Sequence, residues 1–292
     1  MFERAHKNFF RFFMLPAMTL LGGCSSQLVL LDPKGPVGVH EKYLIIVSFL
    51  VMLIVVIPVF AMTFYFPWKY RASNGDASYQ PKWAHSTRIE LVIWLVPALI
   101  VIVLSYLVWN DTHSLSPFRP LASKQKPITI EAVSLDWKWL FIYPDLHIAT
   151  VNQIKFPAGV PVKFRITSDT VMTSFFIPQL GSQIYAMAGM QTLDHLMADE
   201  PGTFTGLNSQ FSGAGFSNMN FKAIATTQKD FQSWVTQVRK SDSKLDLAAL
   251  QKLEKPSSVN PVAYYSSVHP KLFEYIMHKY MSTQSATHKP HA

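Results

Sequence analysis

Two long apolar segments near the N-terminus place the strongest constraint on how this chain folds. They occupy residues 43–66 and 91–109, and neither contains a charged residue. A helix of about twenty apolar residues is long enough to cross the hydrocarbon core of a bilayer. Tryptophan and tyrosine residues lie near their ends, where aromatic side chains suit the headgroup region. The sequence therefore predicts a transmembrane hairpin with spans at about 43–66 and 90–110, inside an N-terminal part that covers residues 24–112.

The composition is that of a membrane protein with a soluble part. Of the 292 residues, 49% are hydrophobic and only 15% are charged, and the mean hydropathy is +0.15. These values differ from those of an ordinary soluble enzyme. The net charge of +8 comes from basic residues that are scattered through loops and flanks. Because nucleic-acid binding needs a clustered basic stripe, the sequence predicts no nucleic-acid partner.

The loop between the two spans predicts the orientation of the hairpin. Residues 67–89 carry four Lys or Arg residues against a single Asp. An excess of basic residues is typical of cytoplasmic loops. We therefore expect this loop in the cytoplasm and both ends of the mature chain outside, although basic residues that follow the second span reduce the asymmetry.

The single cysteine, Cys24, follows a pattern typical of bacterial lipoproteins. A basic opening precedes an apolar run over residues 12–21, and residues 21–24 read Leu-Gly-Gly-Cys, which resembles a lipobox. The sequence predicts a signal peptide over residues 1–23 and lipidation of the Cys24 sulfur. With no second cysteine in the sequence, Cys24 has no partner for an internal disulfide. The alternative is a chance cysteine after a signal anchor.

From about residue 124 the pattern changes to short segments in which apolar and polar residues alternate. These segments begin near residues 128, 162, 171, 192 and 218 and are separated by Pro, Gly, Asn or Asp. Alternation with period two over about a hundred residues favours a compact antiparallel β-sandwich. We predict this sandwich at residues 124–227.

The C-terminal part returns to helical spacing. Apolar residues recur at helical intervals in residues 231–238, 245–253 and 270–281. They predict an aromatic-rich helical extension over residues 228–281, followed by a polar, disordered tail over residues 282–292. The predicted fold class is thus a membrane-anchored α+β chain: a two-helix transmembrane hairpin, an all-β sandwich and a C-terminal helical extension.

A segment within the predicted sandwich resembles a metal-binding loop. Residues 211–224 read Phe-Ser-Gly-Ala-Gly-Phe-Ser-Asn-Met-Asn-Phe-Lys-Ala-Ile. They resemble, without a gap, the loop Cys-Ser-Glu-x-Cys-Gly-x-x-His-Ser-Phe-Met-Pro-Ile, which holds the dinuclear copper centre in subunit II of cytochrome c oxidases. The resemblance puts the ligand positions of that loop, in order, on Phe211, Gly213, Gly215, Met219 and Lys222.

The remaining ligand of that centre is a histidine in the strand Ser-x-Asp-Val-x-His-Ser-Phe-x-x-Pro. Residues 168–178 resemble this strand, with Thr173 at the histidine position. A copper pair needs thiolates and imidazoles, and none of these residues supplies either. Both segments keep the frame of an electron-entry site without its ligands, as expected of a quinol oxidase. The chain is similar to subunit II of the cytochrome o (bo-type) ubiquinol oxidases of the haem-copper superfamily.

A third segment supports this resemblance. Residues 136–144 read Asp-Trp-Lys-Trp-Leu-Phe-Ile-Tyr-Pro and resemble the aromatic segment beside the copper centre in that family. Large aromatic side chains stabilise proteins mainly through their buried area. We therefore expect the aromatic residues here to fill the sandwich or its contact with a neighbouring subunit, without carrying electrons.

The resemblance implies a cupredoxin-like sandwich on the periplasmic side of a bacterial inner membrane. It further implies that the chain binds no cofactor, since haems and copper belong to subunit I in this family. The implied complex oxidises ubiquinol, reduces oxygen and pumps protons, with subunit I, further subunits and membrane lipid as partners. The chain itself is expected to act in assembly, structural support and one proton entrance, and not to be catalytic alone.

Glu90 is the candidate for that proton entrance. It lies at the start of the second predicted span, where the family places a glutamate at the mouth of a proton channel of subunit I. The residues alone also allow a simpler interpretation, because a carboxylate in the first turn of a helix is favoured by the helix dipole.

Three alternative functions remain at this level. A copper-containing electron-transfer subunit would require Cys and His in the 211–224 segment, which the sequence lacks. A membrane-anchored lipoprotein scaffold would not need two spans. Subunit II of a quinol oxidase with a different haem type fits the sequence equally well, because haem identity is decided in another subunit.

Overall fold

The structure, a computed structural model, describes residues 28–75 and 82–287, with side chains up to residue 280. The predicted signal peptide and the lipidation site at Cys24 lie outside the described residues. So do residues 288–292 of the predicted tail.

Two long helices form the membrane part. Helix α1 spans Pro36–Lys69 and helix α2 spans Thr87–Ser114. Both are long and apolar enough to cross a membrane. At a rise of 1.5 Å per residue they are about 51 and 42 Å long, so each extends beyond the hydrocarbon core and beyond the predicted spans. Near one end of the hairpin the two helices are joined by His40 Nε2 and Asp111 Oδ1, which lie 3.0 Å apart.

The part of the chain that follows the hairpin folds into a sandwich of two β-sheets. The first sheet has the strand order β11-β3-β2-β1-β5-β8, and the second has the order β4-β10-β9-β6-β7. The strands are β1 Ile128–Leu135, β2 Lys138–Tyr143, β3 Ile148–Val151, β4 Gln153–Pro157, β5 Val162–Ser168, β6 Thr173–Phe176, β7 Ile184–Ala186, β8 Thr192–Leu196, β9 Gly202–Asn208, β10 Asn220–Thr226 and β11 Ala263–Tyr265.

The predicted sandwich is confirmed, but its strands are mixed, so the prediction of an antiparallel arrangement is wrong for two pairs of strands. Strand β1 runs parallel to β5, with Ile130 opposite Phe164, and β10 runs parallel to β4. Between β1 and β5 the chain passes through β2, β3 and β4. Strand β5 therefore lies beside β1 and runs in the same direction. The alternation of apolar and polar residues within each strand does not show how two strands are oriented relative to each other.

Strand β2 is buried on both of its faces. Trp139, Phe141 and Tyr143 pack into the core between the two sheets, whereas Leu140 and Ile142 belong to a second cluster on the other side of the first sheet. Because both faces are apolar, β2 shows no alternation of apolar and polar residues, and the period-two pattern does not predict it as a strand. The prediction that its aromatic residues fill the sandwich is confirmed for these three side chains, which are at most 1% exposed.

The C-terminal extension covers the sandwich. It contains helices α3 Gln228–Arg239, α4 Leu247–Leu253 and α5 Leu272–Thr287, together with β11. Leu250 of α4 and Phe273 and Ile276 of α5 complete the second cluster against the first sheet. The predicted tail boundary at residue 282 lies inside α5, because polar residues extend that helix to Thr287.

The sandwich is fastened directly to the end of the hairpin at which α1 begins and α2 ends. The backbone N–H of Lys34 donates to the Gln179 carbonyl at 2.7 Å, and His195 Nδ1 lies 2.8 Å from the Pro117 carbonyl oxygen. Gly35 packs so closely that an added Cβ would lie 2.0 Å from the Met197 carbonyl oxygen. These contacts place the sandwich at the start of α1 and beyond the end of α2.

Candidate functional site

The positions that resemble a copper site come together at one end of the sandwich. Residues 211–222, here called the 211–222 loop, connect β9 to the first part of β10, and Thr173 lies at the start of the neighbouring strand β6. The fold thus brings the two separate segments next to each other, and Asn208 links them through hydrogen bonds to Ser174 and Ser212. Their side chains take part in packing and in hydrogen bonds within the sandwich.

Thr173 is engaged in a hydrogen bond across the sandwich. Its side chain is 1% exposed, and its Oγ1 donates to Ser134 Oγ at 2.7 Å. Ser134 lies on β1 of the first sheet, so this bond joins the two sheets. The Thr173 hydroxyl thus has a hydrogen-bond partner, as buried polar groups in proteins usually do.

Trp137 occupies the centre of the 211–222 loop. It lies in the two-residue turn between β1 and β2 with φ of 59°, and its indole Nε1 donates to the Ser212 carbonyl at 2.8 Å. Its ring lies against Gly215, where an added Cβ would be 2.2 Å from the ring, and close to Gly213, whose φ is +97°. A positive φ is costly for a bulky residue, so the loop contacts compensate for a strained turn.

Met219 is buried and also has a partner. It is 1% exposed, and its Sδ lies 3.4 Å from Asn208 Nδ2. The same amide donates to Ser212 Oγ at 3.0 Å, and Asn208 Oδ1 accepts from the backbone N–H of Ser174 at 2.9 Å. The side chain of Asn208 therefore ties the loop to β6, a role for which the sequence offered no signal.

The two remaining positions face outward. Phe211 is 74% exposed and contacts Phe216, with 5.6 Å between the ring centroids. Lys222 is exposed on β10. Neither side chain points into a common centre with Thr173 and Met219 that a metal could share.

The side-chain atoms at this end of the sandwich that could bind a metal do not fit a dinuclear copper pair. They comprise hydroxyls, an amide and one thioether sulfur that already accepts a weak hydrogen bond. A dinuclear copper site needs thiolates that share charge between the two metals and imidazoles that cap them. The positions that match those ligands in the resembling loop hold neither Cys nor His. Within residues 28–75 and 82–287, no group of three or more His, Cys, Asp or Glu side chains is arranged to hold a metal ion.

The C-terminal extension is fastened beside this site. Lys279 Nζ of α5 lies 3.0 Å from Asp169 Oδ1 and 3.2 Å from Glu254 Oε1. Burial raises the pKa of Asp169 to about 6, although the ion pair with Lys279 favours the ionised form. The backbone N–H of Asp169 donates to the Ser134 carbonyl, so this ion pair is only a short distance from the Thr173 hydroxyl.

Glu90 lies at the opposite end of the hairpin. It occupies the first turn of α2, its side chain is exposed, and its Oε1 accepts from the backbone N–H of Ser86 at 3.2 Å. The rise of α2 puts Glu90 about 36 Å from Ser114, which is near the sandwich. Glu90 and the 211–222 loop are therefore on opposite sides of the membrane part.

The sequence matches two known families. The profile described as "Cytochrome C oxidase subunit II, periplasmic domain" matches residues 146–226, and that of the "COX Aromatic Rich Motif" matches residues 239–284. The first match covers most of the sandwich and the second covers the end of α3, α4, β11 and most of α5. Both families thus correspond to parts of the described fold.

Similar curated proteins extend over almost the whole chain. The "Cytochrome bo(3) ubiquinol oxidase subunit 2" of Pseudomonas aeruginosa is 55% identical over 282 residues, which cover 96% of this chain and 84% of that protein. The "Ubiquinol oxidase subunit 2" of Acetobacter aceti is 50% identical over 276 residues, covering 91% and 90%. The "Quinol oxidase subunit 2" of Bacillus spizizenii is 39% identical over 274 residues, covering 93% and 85%. With two apolar helices, a cupredoxin-like sandwich and an aromatic-rich helical extension, the chain belongs to the family of quinol oxidase subunits II within the haem-copper oxidase superfamily.

Proposed function

We propose that this chain is the non-redox subunit II of a proton-pumping oxidase that transfers electrons from ubiquinol to oxygen. The observation that carries the proposal is the packing of the 211–222 loop. Trp137 fills the loop, and Thr173 and Met219 are buried with hydrogen-bond partners. Electrons then reach the haems and copper of subunit I without passing through this chain.

The first part of the proposed role is structural support. The sandwich is held to the hairpin by backbone hydrogen bonds at Lys34 and Gly38 and by the His195 contact to Pro117. The extension is held to the first sheet by an apolar cluster, by the ion pair of Arg165 with Glu274 and by the ion pair of Lys279 with Asp169. A domain fixed in this way can present a rigid surface to the other subunits during assembly.

The second part is a proton entrance at Glu90. An exposed carboxylate at the start of α2 can bind and release protons, and it lies at the end of the hairpin away from the sandwich. If the sandwich is periplasmic, Glu90 is on the cytoplasmic side, from which an oxidase takes up protons. The first-turn position also fits the simpler interpretation, in which the helix dipole favours a carboxylate there and the carboxylate accepts a hydrogen bond from the Ser86 N–H. Experiment separates the two roles.

The proposed location is a bacterial inner membrane, with two spans and a lipid on Cys24. The exposed apolar surfaces of α1 and α2 support the two spans. The basic loop between them supports a cytoplasmic turn. Ubiquinol, subunit I and further subunits are the proposed substrate and partners of the complex.

The proposal is tested by isolating the chain with its partners. The tagged chain is purified in mild detergent, and co-purifying polypeptides, haems and metals are identified. We expect a haem-containing partner and ubiquinol-dependent oxygen consumption by the complex. Purification of the chain without haem-bearing subunits, or a complex that oxidises cytochrome c in place of ubiquinol, would contradict the proposal.

A further inference from the structure

A groove lies where the first membrane helix meets the sandwich. Its volume is about 730 Å³. Helix α1 and the segment before it contribute Leu30, Glu41, Leu44 and Ile45 to its walls, and the sandwich contributes Phe176, Ser182, Gln183 and Ser209. Small-molecule sites in proteins commonly fall in this range of volume. Nothing in the proposed oxidase chemistry uses this groove.

The depth of the groove in the membrane follows from the course of the chain. Residues 28–31 precede α1, and the backbone bond from Lys34 to Gln179 holds this segment beneath the sandwich. Leu30 lies in the same groove as Leu44 and Ile45, which begin the long apolar run of α1. The groove is therefore at the level where the hydrocarbon core of the bilayer gives way to head groups.

The walls of the groove change from apolar to polar along this direction. Leu30 and Ile45 are 45% and 46% exposed and continue the apolar surface that α1 presents to lipid. Towards the sandwich the lining is mainly polar, with the hydroxyls of Ser182 and Ser209 and the amide of Gln183 beside the ring of Phe176. Acyl chains below and a hydrogen-bonding head group above would match this gradient.

The charge of the groove favours lipid head groups that carry a positive charge. Among the described residues that line it, Glu41 alone carries a charge, and no Lys or Arg is present. The Glu41 carboxylate accepts a hydrogen bond from Ser182 Oγ. A carboxylate retains further acceptor capacity and forms its strongest hydrogen bonds with cationic donors. An anionic head group without an ammonium would have no cationic donor to place against this carboxylate.

We propose that this groove binds a glycerophospholipid of the leaflet on the sandwich side, with a primary ammonium in its head group. The ammonium donates to Glu41, the polar part of the head group contacts Ser182 and Gln183, and an acyl chain lies along Leu30, Leu44 and Ile45. The lipid would fill the gap between α1 and the sandwich and thereby stabilise the angle between them.

The test uses the whole complex with a photoreactive amino acid in place of Leu30. The complex is placed in nanodiscs that contain equal parts of phosphatidylethanolamine and phosphatidylglycerol, irradiated and analysed by mass spectrometry. We expect lipid adducts in which phosphatidylethanolamine is in excess. The same photoreactive residue at Val259, which is 82% exposed on the C-terminal extension, serves as the matched control and should capture no lipid.

Glu41→Gln tests the role of the charge. Loss of one charge-assisted hydrogen bond should lower the ratio of ethanolamine to glycerol adducts about three- to tenfold, and Glu41→Asp should retain the preference. Equal capture of both lipids by the unmodified groove, or a ratio unchanged by Glu41→Gln, overturns the ammonium assignment. Adducts of Leu30 with another subunit, and none with lipid, would identify the groove as a protein interface instead.

Discussion

The indole ring of Trp137 lies against the backbone of Gly215, so closely that a Cβ on Gly215 would be 2.2 Å from ring atom Cδ2. The two residues belong to different segments, the β1–β2 turn and the 211–222 loop. Any side chain at position 215 therefore competes with the ring for the same space. A glycine at position 215, where the resembling copper loop has a cysteine, is therefore what allows the Trp137 ring to pack here.

The first prediction concerns this pair. Gly215→Ala should lower the free energy of unfolding by about 2 kcal/mol or more, because the new methyl group must displace the Trp137 ring. In a Trp137→Ala background the same substitution should cost much less, with a coupling energy of about 1–3 kcal/mol. Thermal or chemical unfolding of the full-length chain in detergent measures both values.

Gly75→Ala is the matched control, since a Cβ there meets nothing within 4 Å. We expect it to change stability by no more than about 0.5 kcal/mol. Equal destabilisation by Gly215→Ala with and without Trp137 would show that the ring is not what excludes a side chain.

The second prediction is that the complex contains no copper bound by this chain. The positions at Phe211, Gly215, Met219 and Thr173 lack thiolate and imidazole ligands, and two of these side chains have other hydrogen-bond partners. Copper and haem are measured in the purified complex, together with its near-infrared absorption. A mixed-valence copper band, or copper retained by this chain after subunit I is removed, would contradict the prediction.

The third prediction is that the mature chain begins at a lipidated Cys24. The reason is the Leu-Gly-Gly-Cys sequence after a basic and apolar leader. Intact mass spectrometry should show the loss of residues 1–23 and an added acyl mass. Cys24→Ser should abolish that mass while the chain stays in the membrane, because two spans anchor it more firmly than lipid chains do. An unprocessed Met1 would refute the prediction.

The fourth prediction separates the two roles of Glu90. Glu90→Gln keeps an oxygen that can accept from the Ser86 N–H but loses the acid, and Glu90→Asp keeps the acid. If Glu90 collects protons, Glu90→Gln and Glu90→Ala should each slow turnover of the assembled complex roughly threefold or more, and Glu90→Asp should slow it less. Oxygen consumption with ubiquinol at equal haem content is the measurement.

Glu200→Ala, which removes an exposed carboxylate from the sandwich, should leave turnover unchanged. If Glu90→Gln is as active as the unaltered complex while Glu90→Ala destabilises α2, the residue is only a helix cap.

The fifth prediction concerns the buried carboxyl of Asp194. Burial raises its pKa to about 7, the nearby Glu41 adds to this rise, and its Oδ2 has no hydrogen-bond partner among the described residues. When the pKa of a carboxyl is higher in the folded than in the unfolded protein, the folded protein is most stable at low pH, where the carboxyl is protonated in both states. The free energy of unfolding then falls as the pH rises from about 4 to about 7. Asp194→Asn should remove this loss and raise stability at pH 8 on the order of 2 to 4 kcal/mol.

Unfolding of the full-length chain in detergent is followed between pH 4 and pH 8. The exposed Asp242 provides the control, because Asp242→Asn should leave the pH dependence as it is. A pH dependence that persists unchanged in Asp194→Asn would assign it to another group.

The sequence alone determined the elements whose pattern is local. The two spans needed only their uncharged length, and the helices of the extension needed only apolar residues at helical spacing. The resemblance of residues 211–224 to a copper-binding loop was also visible without a structure, because the two sequences could be compared residue by residue. For the same reason, the absence of Cys and His at Phe211, Gly215 and Thr173 was visible at once.

Tertiary structure decided whatever depends on contacts between distant residues. Strand β2 escaped prediction because the extension covers its second face, and the parallel pairing of β1 with β5 depends on how the intervening chain crosses the sandwich. Trp137 over Gly215 joins residues separated by most of the domain. A one-dimensional pattern records which residues are apolar or charged. Close packing decides which of them meet, and here it brings the Trp137 ring against the backbone of Gly215.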